Sequence, residues 1–172
     1  MLLVIAAIPV TLGLTQQQQD IRQHASGPTS CSVNNPIDAM LLIDKSGSMG
    51  PPVSKDDRIT PAKAAATNFV NLLNQNGLNN KLGQRSQVGV VSYAQLLNST
   101  QGKTTLDAPL TRLSGQSDVD SVTSKIQTIK VFGRTCTQCA VQLANQEILS
   151  HGRSGVKKVV ILLTDGGANA YG

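Results

Sequence analysis

Short, uniformly apolar runs alternate along the chain with segments in which apolar residues return every three or four positions. Ile37 to Ile43 is too uniformly apolar to be half exposed, Val88 to Tyr93 reads as a short apolar strand, and Val159 to Leu163 as a second buried strand. Ala62, Ala65, Ala66, Phe69, Val70 and Leu73 share a helical face, with Thr60 as N-cap, Pro61 as first helical residue and Asn76-Gly77 as the stop. Val119, Val122, Ile126 and Ile129 define a second helix capped by Ser117. Leu143, Ala144 and Ile148 define a third, from about Thr137 to Ser150. Leu96 to Leu110 reads as one or two edge strands around a turn at Gln101-Gly102. Strands alternating with helices predict an α/β fold: an open, mostly parallel sheet flanked by helices.

Ligands of such sheets sit beyond the carboxyl ends of the strands, and polar residues gather there in this chain. After the first strand come Asp44, Ser46 and Ser48. Alternate residues of an extended turn project to one side, so a carboxylate and two hydroxyls can converge on a hard cation that prefers oxygen. Thr135, in Gly133-Arg-Thr-Cys-Thr137, and Asp165, after Val159 to Leu163, can complete the set.

With these residues the chain, from about Pro36 to Gly172, resembles the von Willebrand factor type A (VWA) family. That family's metal-ion-dependent adhesion site (MIDAS) is written DxSxS, then a loop Thr, then an Asp after an apolar strand. The resemblance implies the family's Rossmann-like fold, and a metal held directly by Ser46, Ser48 and Thr135 and through water by Asp44 and Asp165. The expected cofactor is Mg²⁺, with Mn²⁺ or Ca²⁺ as alternatives. Mg²⁺ favours octahedral oxygen coordination, and neutral hydroxyls leave one position for a partner protein's carboxylate. The expected function is therefore cation-dependent protein binding or adhesion, not catalysis. The family fold continues for two more strand–helix units, so the domain is read as incomplete at Gly172.

An enzyme alternative rests on Asp44-Lys-Ser-Gly-Ser48, which is similar to the DKTGT motif of P-type ATPases and the haloacid-dehalogenase-like group, where the Asp accepts a phosphoryl group. The match stops there, because the group's later acidic pair and phosphate-binding Lys have no counterparts. A further alternative keeps the fold but places it in an intracellular assembly, as in metal-chelatase subunits.

The run Met1 to Leu14 bears on that choice. As a helix it would be about 21 Å long at about 1.5 Å per residue, against a bilayer core of about 30 Å. With no basic residue before it and no small-x-small cleavage site after it, residues 1–24 are read as the end of a transmembrane helix or signal anchor with a polar exit. Residues 25–35 are a Ser-, Pro- and Gly-containing linker, and 36–172 the domain, expected on the extracellular side of a membrane.

A length of 172 residues and 40% apolar content suit one domain with a substantial core. The net charge of +5 comes from scattered basic residues without an aromatic platform, which argues against nucleic acid. Cys136 and Cys139 form a CxxC at a helix start, while Cys31 precedes the domain; a local disulfide, a bridge to Cys31 and free thiols all remain open. His24 and His151 are read as solvent-facing or dipole-complementing, Asp107, Asp118 and Asp120 as solvated or capping, and Lys55 to Arg58 as a solvated loop. Asn98-Ser-Thr100 is a glycosylation sequon.

Overall fold

A computed structural model describes residues 35–79, 84–95 and 104–166. The described residues belong to one compact unit, Val33–Gly172. The apolar run at Met1 to Leu14, together with Cys31, His24 and the sequon, lies outside the described residues. Among the described residues no helix is long and apolar enough to cross a membrane.

Four strands make the sheet: β1 (Ile37–Asp44), β2 (Gln87–Tyr93), β3 (Thr105–Arg112) and β4 (Lys157–Leu163), in the order β3-β2-β1-β4. β1 is parallel to both β2 and β4, while β3 adds antiparallel to β2. The uniform apolarity of β1 has its cause here, since only Ile37 escapes full burial. Its odd residues Ala39, Leu41 and Ile43 pack with Val88 and Val90 against α1 (Ile59–Leu78) and α2 (Gln116–Thr128). Its even residues Met40 and Leu42 pack with Val91 and Tyr93 against α3 (Thr137–His151), where Ala140 and Ala144 are fully buried. Gly89 stands opposite Met40 across the β1–β2 pair, and a Cβ there would lie 2.5 Å from the Met40 sulfur.

The three apolar strands, the three helices and the mostly parallel sheet appear as expected from the sequence, but β4, expected to be buried, has no fully buried residue because only β1 pairs with it among the described residues, and the caps differ. α1 begins at Ile59, so Thr60 is not its cap; the Asp57 carboxylate accepts the Thr60 N–H at 3.1 Å. Its helical bonds run past Asn76-Gly77 to Leu78, and Ala65 is exposed. Ser117 lies within α2; the Asp118 carboxylate accepts the N–H groups of Ser114 and Gly115, at 2.9 and 3.2 Å. In both places the helix begins earlier than expected, and the carboxylate's charge complements the positive helix terminus. Asp107 accepts the Ser92 N–H at 2.7 Å across the β2–β3 pair, where a solvated or capping role was expected. At the opposite edge of the sheet, Val160 and Leu162 of β4 are exposed.

At the amino end of β1, the fully buried Asp38 receives the Arg153 backbone N–H at 2.7 Å and its guanidinium at 2.8 and 2.6 Å. Arg153 also donates to the Arg85 carbonyl at 2.8 Å, so one side chain ties together the entrances of β1, β2 and β4. Truncating one partner of a buried pair strands the other's charge. Asp38→Ala is expected to lower stability by about 3 kcal/mol in urea unfolding; a loss below about 1 kcal/mol would show the clamp to be dispensable.

Candidate metal centre

Strand register sets the site. Asp44 pairs with Tyr93 of β2, and Ile43 with Leu163 of β4, so Asp44, Tyr93 and Thr164 stand level at the carboxyl rim. Asp44 is fully buried. Its Oδ1 accepts the Ser46 N–H at 2.8 Å, which turns the chain into the 3₁₀ turn Gly47–Met49. Its Oδ2 accepts the Thr164 hydroxyl at 2.8 Å. The Ser46 and Ser48 hydroxyls are 3.1 Å apart, and Ser48 donates to Asp165 Oδ1 at 3.0 Å. Asp44, Ser46, Ser48 and Asp165, chosen from the sequence, thus form one hydrogen-bonded chain.

Thr135 comes from the loop ahead of α3, and backbone bonds hold that loop in place. The Gly133 carbonyl accepts the Gly47 N–H at 2.8 Å, and Arg134 and Gln95 exchange backbone bonds at 2.7 Å. Gly133 has φ of 68°, and a Cβ there would lie 2.2 Å from the Gln95 carbonyl oxygen, so only glycine fits. Thr135 is buried, two residues after the Gly133 carbonyl that binds Gly47, and Cys136 and Cys139 are joined by a disulfide across the first turn of α3.

Residues that the sequence did not single out complete the surroundings. Arg58, read as solvated, donates Nη1 to Asp165 Oδ2 at 2.6 Å and Nη2 to Asp56 at 2.8 Å. Lys45 reaches toward β2 and β3, donating to Ser92 at 2.8 Å and Thr105 at 3.3 Å. Tyr93 is fully buried, and its hydroxyl has the Thr164 and Thr137 side chains near it without a hydrogen bond of good geometry to either. Burial pushes its phenol up to about 12; the Asp44 and Asp165 charges add to the shift, and the neighbouring Thr164 and Thr137 partly offset it. His151 is exposed and lies 3.1 Å from Glu147, consistent with a solvent-facing helix end.

The donor set has the chemistry of a hard-cation site. Oxygens about 2.1 Å from Mg²⁺ in adjacent octahedral positions are about 3.0 Å apart, close to the 3.1 Å between the serine hydroxyls. Asp44 already spends both oxygens on hydrogen bonds, which suits an outer role. Among the described residues no three of His, Cys, Asp and Glu cluster to hold a metal, so any ion here depends on hydroxyls as well as carboxylates.

A family model described as von Willebrand factor type A domain matches residues 39–168. Among solved structures, the vWF domain of the type V pili tip protein Mfa5 from Porphyromonas gingivalis aligns with a TM-score of 0.62 and 23% identity, over 80% of this chain and 40% of that one. The adhesive tip pilin GBS104 from Group B Streptococcus agalactiae gives 0.60 and 20%, over 80% and 47%. Proximal thread matrix protein 1 from the mussel byssus gives 0.58 and 22%, over 79% and 32%. The chain thus spans less than half the length of each of these structures. A comparison with curated protein sequences found no match.

The Tyr93 phenol links stability to alkaline pH. With a folded value of about 12 against an ordinary 10.0, its stabilising contribution is whole below about pH 10 and lost as pH rises towards 12. With a chelator present, Tyr93→Phe is expected to flatten that decline by roughly 2 kcal/mol. At neutral pH, where the phenol is protonated folded and unfolded, the same variant is expected to stay within about 1 kcal/mol of wild type. Unfolding curves between pH 7 and 12 check both; an unchanged alkaline slope would contradict the assignment.

Proposed function

Since the chain belongs to the von Willebrand factor type A family, we propose that Asp44, Ser46, Ser48, Thr135 and Asp165 form a MIDAS-type divalent-cation site through which it binds an acidic side chain of a partner protein. The observation that carries this reading is the continuous chain from Asp44 through Ser46 and Ser48 to Asp165, with serine hydroxyls at coordination spacing. Ser46, Ser48 and Thr135 would hold the ion, and Asp44 and Asp165 would orient its bound water. Mg²⁺, or Mn²⁺ in its place, would when bound supply a Lewis-acidic position for the partner's carboxylate. The protein's own part is to preorganise: Asp44 fixes the serine turn through the Ser46 amide, and Thr164 fixes Asp44.

The role needs no nucleophile or proton shuttle. A phosphoryl-acceptor role for Asp44 fits poorly, since the residue is fully buried with both oxygens engaged. The similar structures include a pili tip protein, an adhesive tip pilin and a byssus thread protein, which supports an extracellular adhesive role over an intracellular assembly. Attachment to a membrane would come from the apolar run at Met1 to Leu14.

Calorimetric titration of Mg²⁺ and Mn²⁺ into the full chain tests the site. Ser48 is exposed, so Ser48→Ala removes one hydroxyl with little risk to the fold. Ser48→Ala and Thr135→Ala are each expected to weaken binding at least about tenfold, about 1.4 kcal/mol. Equal affinity in wild type and both variants would overturn the proposal.

A further inference from the structure

We propose that Arg58 tunes the cation affinity of this site by sharing the Asp165 carboxylate, and so keeps the site weak for metal and open to an acidic partner; the inference rests on the metal-site reading above. Asp165 lies between two claims: Ser48 donates to Oδ1 at 3.0 Å, and Arg58 to Oδ2 at 2.6 Å. The guanidinium brings a positive charge into direct hydrogen-bond contact with the Asp44–Asp165 chain.

Its position is built in. Arg58 is the residue ahead of α1, and its backbone N–H donates to the Met49 carbonyl at 2.9 Å, anchoring it to the turn that carries Ser48. Asp56 holds Nη2 at 2.8 Å, so both arms of the fork are occupied. A planar fork held at both arms is less free to swing away than a lysine ammonium would be. Only 11% of the Asp165 side chain is exposed against 46% of Arg58's, so the shared carboxylate is shielded from the solvent that screens the arginine's outer side.

Two consequences follow for charge. Arg58 neutralises part of the negative potential that would attract a divalent ion, which lowers affinity. An ion bound beside a neutralised Asp165 is less compensated by the protein, which strengthens its demand for an outside carboxylate. Arg58 also lines an open cleft with Met49, Ala62, Leu162, Thr164 and the shared Asp165.

The test is Mn²⁺ titration by electron paramagnetic resonance of the full chain as wild type, Arg58→Gln, Arg58→Ala, Arg58→Lys and Ser48→Ala, in low and high salt. Arg58→Gln is expected to bind Mn²⁺ roughly three- to tenfold more tightly, with the gain shrinking at high salt. Arg58→Lys, which keeps the charge, is expected to stay within about twofold of wild type, and Arg58→Ala, expected to tighten binding as Arg58→Gln does, decides the matter if Arg58→Gln fails to fold. Unchanged or weaker binding by Arg58→Gln, or a gain in Arg58→Lys as large as that expected of Arg58→Gln, would overturn the inference while leaving the site intact. Equal binding by wild type and Ser48→Ala would instead bring down the site and the inference with it.

Discussion

A carboxylate with no exposed surface stands at the carboxyl end of the central strand, and the arrangement of the rim depends on it. Asp44 accepts a backbone N–H from Ser46 on one oxygen and the Thr164 hydroxyl on the other. The first bond bends the chain so that Ser46 and Ser48 face the same way; the second ties the exit of β4 to that of β1. Both donors are neutral, so the charge is hydrogen-bonded without being neutralised by either. A buried charge in that condition is costly unless a positive partner is near. The proposed cation would add a positive charge beside this carboxylate.

The sheet makes that geometry possible. β1 is flanked by parallel strands on both sides, so its carboxyl end and those of β2 and β4 open on the same rim. Neighbouring loops can then meet without long excursions, as the Gly133 loop does when it pairs its backbone with Gln95 and Gly47. The Asp38–Arg153 clamp closes the other end of the same strands, so stability and binding chemistry are set at opposite ends.

Much of this was legible in the sequence because it is local or periodic. Uniform apolarity marked β1, β2 and β4, and helical spacing marked α1, α2 and α3. DxSxS, a loop threonine and a strand-end aspartate marked the rim, and four of those five residues are found in one hydrogen-bonded chain. What could not be read was pairing at a distance. Arg58 sits in a loop of mixed charges, and the partner that gives it a role is 107 residues away. Thr164 is 120 residues from Asp44, and nothing in its neighbours marks it as a hydrogen-bond donor to a buried carboxylate. Caps were misplaced because both helices begin earlier than Thr60 and Ser117 suggest, at Ile59 and Gln116, and the nearby carboxylates Asp57 and Asp118 bind amides at those starts.

The central claim is that a divalent ion sits at this rim, and location is its most direct test. Nuclear magnetic resonance of the full chain during addition of substoichiometric Mn²⁺ would report which backbone amides are broadened by the paramagnetic ion. The account predicts selective loss of signal from residues 44–48, 133–135 and 164–166, with amides around Asp38 and Arg153 unaffected. Broadening centred elsewhere, or spread evenly over the surface, would contradict it.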